Sequence, residues 1–197
     1  MNETSPQVIV IAGPNGAGKT SLAPFLLRDA LRVPEYVNAD PIAHGLSGFD
    51  PASVALQAGR VMLNRLRDLA EHRKTFAFET TLSAKHYAGW IEKLLRDGYA
   101  FQLMFLWLQS SDLAVQRVRE RVQAGGHDVP EQVIRRRHAA GLRNFSELYQ
   151  PLANTWAVYD NSESPGPVMI AQGGQGDGPN IIHADLWESF KRCPNEH

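Results

Sequence analysis

The stretch Val8-Ile-Val-Ile-Ala-Gly-Pro-Asn-Gly-Ala-Gly-Lys-Thr20 decides the fold: a short apolar run rich in β-branched residues feeds a glycine-rich turn that ends in Lys-Thr. Gly13, Gly18, Lys19 and Thr20 satisfy the pattern G-x-x-x-x-G-K-[ST]. Such a loop must aim several backbone N–H groups at one phosphate and bring the main chain close to it. Gly13, Gly16 and Gly18 permit both. Lys19 can reach the β- and γ-phosphates, the Thr20 hydroxyl can ligate Mg²⁺, and the helix that follows turns its positive dipole end toward the anion. Gly13, Asn15, Gly16, Ala17, Gly18, Lys19, Thr20 and Ser21 are therefore the candidate phosphate-binding residues, with Lys19 also a catalytic candidate.

Outward from this loop, strands and helices alternate. Gln7 to Ala12 reads as a buried strand and Lys19 to Leu31 as a helix that stops before Pro34. Glu35 to Ala39 is a second strand, delivering Asn38 and Asp40 at its end. Asp50-Pro51 reads as an N-cap followed by proline at the first helical position, opening a helix that runs through Leu69. Thr75 to Glu79 is a third strand and Ala84 to Arg96 a helix that stops at Asp97-Gly98. Tyr99 to Leu108, almost continuously apolar, is expected as a central parallel strand. A helix from Ser111 to Gln123, a Gly125-Gly126 turn, and a long helix capped by Asp128 and running to about Tyr149 follow. Thr155 to Tyr159 gives a fifth strand, Pro165 to Pro179 a loop or hairpin, and the chain closes with a short helix carrying Leu186, Trp187 and Phe190. The expectation is an α/β fold of the P-loop NTPase/kinase type: a five-stranded, mainly parallel sheet flanked by helices, with right-handed crossovers and a helical lid. One domain is expected over residues 1–197, with the lid at about 112–145 and the C-terminal hairpin and helix at about 165–193.

Composition sets the limits. The 197 residues carry 43% hydrophobic and 21% charged side chains, ordinary for a globular protein, and the net charge of -1 argues against bulk attraction to nucleic acid or a membrane. Positive charge is concentrated instead between Arg117 and Arg143. Cys193 is the only cysteine, so no intrachain disulfide or cysteine metal cluster can form, and a reducing cytoplasm is the expected location. The longest apolar stretch is too short to span a bilayer, and no signal peptide is expected.

In a parallel sheet, functional groups gather beyond the carboxyl ends of the strands. Asp40 lands there as a candidate general base that could take the proton of an attacking hydroxyl; the alternative is that Asp40-Pro41 is turn chemistry. Glu79 lands there too, at the end of an apolar strand, as a carboxylate able to organise Mg²⁺ or bind substrate, or merely to cap the strand. Thr80 is its neighbour. Arg117 and Arg121, four residues apart, share one helix face leading into the double-glycine turn. Arg135, Arg136 and Arg137 fan out by 100° steps. With Ile134, His138, Leu142 and Phe145 as the buried stripe, Arg135 and Arg137 flank it and Arg136 points away. Helices joined by a Gly-Gly turn and carrying inward arginines suit a kinase lid, so Arg121, Arg135 and Arg137 are candidates to stabilise transferring charge. His127, just after the glycines, either meets the substrate side or hydrogen-bonds the turn. Arg117 and Asp160-Asn161 are candidates to surround the base of ATP, with Asn161 grouped among the ATP-binding residues.

Taken in order, Gly13 to Thr20, Asn38-Ala-Asp40, Phe78-Glu-Thr-Thr81, Gly98-Tyr99 and Gly125-Gly-His-Asp-Val-Pro130 resemble the zeta-toxin-like family of P-loop kinases over about Val8 to Ser162. The resemblance implies ATP-dependent phosphorylation of an alcohol group, of UDP-N-acetylglucosamine in the founding toxins, with ATP and Mg²⁺ as cofactors. It implies that Lys19 binds phosphate, Thr20 ligates Mg²⁺, Asp40 is the base, and Glu79 with Thr80 meets the substrate. The toxins use two lid arginines. Here Arg117 or Arg121 can stand for the first, while His127 lies near the place of the second and Arg135 or Arg137 would substitute. This chain looks like a chromosomal relative whose substrate can differ, acting on a small-molecule hydroxyl acceptor, with an antitoxin-like protein as a partner to test. The competing expectation is a nucleotide-dependent ATPase or switch acting on a protein partner.

Overall fold

A computed structural model describes residues 5–163, 165–176 and 178–193. Of the expected lead-in over Met1 to Pro6, residues 1–4 lie outside the described residues. Seven strands form one sheet: β1 (Gln7–Ala12), β2 (Glu35–Val37), β3 (Phe76–Thr80), β4 (Ala100–Trp107), β5 (Thr155–Asp160), β6 (Val168–Gly174) and β7 (Asn180–Ile181), in the order β2-β3-β1-β4-β5-β6-β7. The first five run parallel, and β6 and β7 add antiparallel to β5 and β6. The glycine loop leaves β1 at the centre, with β3 on one side and β4 on the other. This is where strand order reverses and where such sheets open a crevice.

Strand alternation divides the core in two. Val8, Val10, Phe76 and Phe78 enter one cluster while Ile9, Ile11 and Ala77 enter the other. The four central residues of β1, Val8 to Ile11, are at most 1% exposed, and burying each such side chain is worth about 1.5–3 kcal/mol. On the first face lie helices α3 (Ala55–Glu71), α4 (His86–Arg96) and α7 (Ala184–Arg192), whose Trp187 and Phe190 stack on each other. On the second lie α1 (Lys19–Ala23) and α5 (Ser111–Gln123), joined by Ile134 at the start of α6 (Glu131–Asn144). The stripe of Ile134, His138, Leu142 and Phe145 is buried and Arg136 is exposed, as the helical spacing requires.

The sheet has seven strands where five were expected. Of the two further strands, β6 falls inside the glycine- and proline-rich stretch expected as a loop or hairpin and β7 lies just beyond it, the two pairing antiparallel, and the Trp156 indole packs on Gly173 of β6. A Cβ at Gly173 would stand 2.7 Å from the Trp156 ring, so the indole lies across that part of β6. A further helix, α2 (Ala39–Leu46), occupies the segment whose Asp-Pro pair allowed a turn. Asn38 caps it by accepting from the Asp40 N–H at 2.9 Å, and Pro41 sits in the first turn, where the missing N–H has no intrahelical partner to lose.

Three helix boundaries also move. Pro24 offers no N–H to the α ladder, and the first helix widens into a π-helical segment, Pro24–Ala30. Asp50 stabilises a turn by accepting from the Ser53 N–H at 3.2 Å, and α3 begins only at Ala55. Asp128 does not cap α6: Pro130 precedes the helix, which ends at Asn144 and passes into a π-turn, Phe145–Tyr149.

Candidate active site

The loop after β1 owes its shape to contacts that leave no room for side chains. Gly16 and Gly18 have φ of 81° and 80°, the left-handed region that glycine enters without strain. At Gly13 a Cβ would stand 2.2 Å from the Leu106 carbonyl oxygen, so the loop is pressed against β4. At Gly16 a Cβ would stand 3.0 Å from the Ala114 carbonyl and 3.1 Å from the Cβ of Arg117, which seats the loop on α5. The Gly13 N–H donates to Thr80 O at 3.2 Å, tying the start of the loop to the end of β3.

Beside this loop opens a cavity of about 480 Å³. Its wall takes Lys19 and Thr20 from α1, Asp40 from α2, Glu79 and Thr80 from β3, Arg117 and Arg121 from α5, and Arg137 from α6. Asn15, Gly16, Gly18 and Ser21 complete the loop side. Gly59 and Met62 of α3 with Tyr87 of α4 form the opposite, less polar wall. Residues far apart in sequence therefore meet because β1 and β3 are neighbours: Ile11 pairs with Glu79 and Ala12 with Thr80, which sets both β3 residues at the mouth of the loop.

The charges are close and partly desolvated. Lys19 Nζ donates to the carbonyls of Gly13 at 2.9 Å and Pro14 at 2.8 Å, folding the ammonium under the loop. Burial pushes its pKa down to about 8, against the attraction of Glu79 and Asp40, and Arg121 and Arg137 lower it further. Burial also raises the pKa of the Glu79 carboxyl, opposed by a hydrogen bond from Tyr36 and by Lys19 and Thr20. The Thr20 hydroxyl donates to Glu79 Oε2 at 3.0 Å, and the Tyr36 hydroxyl donates to Glu79 Oε1. Arg137 is held below the usual guanidinium range chiefly by burial, and its Nη1 reaches Asn15 Oδ1 at 3.5 Å. Arg121 donates through Nη2 to the His127 carbonyl at 2.6 Å, while its buried Nε has no hydrogen-bond partner among the described residues.

Five candidates, Arg135, His127, Asn161, Gly13 and Ala17, do not line the cavity. Arg135 is turned to α5 and its own helix, with Nη1 2.6 Å from Asp112 and Nη2 2.7 Å from Glu131, and it is absent from the cavity wall. His127 lines a separate pocket of about 50 Å³ on the other side of Asp40, between α2 and α3. Asn161 spends its amide on the loop from behind, donating to Ala17 O at 3.0 Å. Ala17 is itself fully buried. Sequence reasoning did not single out Tyr36, Tyr87, Gly59 or Met62. Tyr36 looks like any aromatic strand residue, and only the pairing of β2 with β3 brings its hydroxyl to Glu79.

An oxygen-lined cation site fits the donor set here: a threonine hydroxyl and a carboxylate in hydrogen-bond contact at the end of the glycine loop, suited to a small hard ion that keeps other ligands from phosphate and water. The unpartnered Arg121 Nε and the glycine turn likewise suit an anion. Among the described residues no helix is long and apolar enough to cross a membrane.

The sheet and the loop at its centre define an α/β protein with a P-loop kinase-like fold. The sequence profile of a family described as an AAA domain matches residues 8–148, and the chain belongs to that family. Solved structures share the fold. A chain of the AvrRxo1-ORF1:-ORF2 complex with ATP superposes with a TM-score of 0.75 at 15% identity, covering 96% of this chain and 64% of that one. This chain thus spans less than two thirds of that protein. A chain from the PezAT chromosomal toxin-antitoxin system of Streptococcus pneumoniae gives 0.60 at 16% identity, covering 98% of this chain and 87% of that one. A gluconokinase from Sinorhizobium meliloti gives 0.50 at 15%, covering 82% and 86%. At these identities the likeness is one of fold.

Proposed function

We propose that this chain is an ATP-dependent kinase that transfers the γ-phosphate to a hydroxyl of a small molecule. The observation that carries the reading is the convergence, on one cavity, of the glycine loop, two carboxylates and three arginines. The fold neighbours support it: one is a gluconokinase and another was determined with ATP. Bound to this loop, the triphosphate would meet the backbone N–H groups of residues 13–20 and the Lys19 ammonium. Mg²⁺ would be held by Thr20, with Glu79 alongside, and would neutralise charge on the phosphates when bound. Asp40 accepts the proton of the acceptor hydroxyl as that oxygen bonds to the γ-phosphorus and the bond to the leaving ADP oxygen breaks. Arg121 and Arg137 stabilise the charge that spreads over the transferring group. This assignment keeps Arg117 near the nucleotide and leaves Arg135, Asn161 and His127 outside direct contact. The α5–α6 pair, residues 112–145, then acts as a lid carrying the arginines, within one domain over residues 1–197.

The finer reading, by resemblance to the zeta-toxin-like kinases, is a nucleotide sugar such as UDP-N-acetylglucosamine as acceptor. An antitoxin-like partner follows from the same resemblance and from the toxin-antitoxin system to which one fold neighbour belongs. The test is a mass-spectrometric screen of a metabolite extract incubated with ATP and Mg²⁺. A phosphorylated product formed by the wild-type chain and missing with Lys19→Ala supports the kinase. ATP-dependent capture of a protein with no phosphorylated metabolite supports a switch instead.

A further inference from the structure

We propose that Tyr36 is a positioning residue of this site, whose hydroxyl holds the Glu79 carboxylate in the orientation that presents its second oxygen to Thr20. The inference rests on the kinase reading and concerns the same cavity. Tyr36 lies on the edge strand β2, opposite Ala77 of β3, and Ala77 and Glu79 point to the same face because side chains alternate along a strand. The methyl group of Ala77 leaves room for a phenol to lean along the strand, and the Tyr36 hydroxyl donates to Glu79 Oε1. On the other side Thr20 Oγ1 donates to Oε2 at 3.0 Å, so both carboxylate oxygens are held. The Asn38 amide closes the arrangement: its Nδ2 lies 3.2 Å from the Tyr36 hydroxyl and 3.4 Å from Thr20 Oγ1, while its Oδ1 accepts from the Asp40 N–H.

Four side chains, from α1, β2, β3 and the cap of α2, thus form one ring of hydrogen bonds, and the Asn38 amide links that ring to the first turn of α2, which carries Asp40. A carboxylate gripped by one donor can rotate about its last bond; gripped by two on opposite oxygens it cannot. The residue itself is 37% exposed, so the ring is not there to fill a core. Its polar end is the part that faces inward. Removing that hydroxyl leaves Glu79 Oε1 without its tyrosine donor and removes little buried apolar surface.

The experiment is a double-variant cycle on Tyr36→Phe and Glu79→Gln in the full chain, read by ADP formation from ATP at saturating Mg²⁺ with a metabolite extract as the source of the acceptor hydroxyl, and with urea midpoints recorded for every variant. Tyr36→Phe is expected to lower kcat about tenfold with KM for ATP changed less than about twofold. In the Glu79→Gln background the same change is expected to alter kcat less than about twofold, because there is no longer a carboxylate to orient. Wild-type kcat in Tyr36→Phe, or the same tenfold loss in both backgrounds, overturns the positioning role. A wild-type chain that binds no ATP, or that binds it and forms no ADP with the extract, overturns the kinase reading and this inference together.

Discussion

Lys19 holds its positive charge against burial, and that gives ATP binding a defined pH dependence. In the free protein the ammonium loses its proton near pH 8, below the ordinary 10.5. Bound phosphates favour the charged form, so the complex keeps the proton to higher pH than the free protein does. Below about pH 7 Lys19 is already charged and binding takes up no proton there; above pH 8 binding must bring one. ATP affinity is therefore expected to be level with respect to Lys19 up to about pH 7 and to fall by up to about tenfold per pH unit above 8. Calorimetry in buffers of differing ionisation heat checks both the slope and the proton uptake, and Lys19→Ala should abolish them. The arginines separate in the same way. Arg137→Ala is expected to cost about 10²-fold or more in kcat. Arg135→Ala is expected to cost less than about threefold, since its partners are the exposed carboxylates of Asp112 and Glu131. Arg135 and Arg137 cannot be told apart by spacing, because two arginines flanking a buried stripe are equivalent until a neighbouring element occupies one side. Here α5 takes Arg135 through Asp112 and the glycine loop takes Arg137 through Asn15.

Elements are held in register by close backbone approach as much as by side-chain burial. Gly141 of α6 faces the loop after β3, and a Cβ there would stand 2.4 Å from the Thr81 carbonyl oxygen. Helix propensity alone would make Gly141→Ala stabilising by about 1 kcal/mol. The clash costs about 1–3 kcal/mol and is expected to win, lowering the urea midpoint and shifting the helix that carries Arg137. An unchanged or raised midpoint would mean that α6 can move away from β3 at no cost. The strands with strong apolar patterns, β1, β3, β4 and β5, were legible within a residue or two, because alternation and β-branching report burial directly. The elements left open or missed were those whose local chemistry points elsewhere. β6 ends in Gly173-Gly174, which leaves its stretch open between a loop and a hairpin until Trp156 is laid across it, and α2 begins Ala-Asp-Pro, which reads as a turn until Asn38 is seen to cap it. In both, a contact distant in sequence or a cap decided what propensity left open.

At the scale of the molecule, the central position of β1 does most of the functional assembly. Its loop is flanked by the end of β3, which supplies Glu79 and Thr80, and by α5, which supplies Arg117 and Arg121. Much of the candidate site was legible for that reason: a glycine loop after the first strand implies that other strand ends lie beside it. Tyr36 was not, since strand order and register, unlike a motif, leave no trace in spacing. The wall of Gly59, Met62 and Tyr87 was equally hidden, because it belongs to helices that reach the cavity only once packed. On the proposed reading, this cavity transfers the γ-phosphate of ATP directly to a hydroxyl whose proton Asp40 accepts. The most direct test compares wild-type and Asp40→Asn chains for ATP affinity and for phosphorylation of a metabolite extract followed by mass spectrometry. Equal ATP binding, with a phosphorylated metabolite formed by the wild type and reduced about 10²-fold or more in Asp40→Asn, is the predicted result; undiminished phosphorylation by Asp40→Asn, or no phosphorylated metabolite from a wild-type chain that binds ATP, would contradict it.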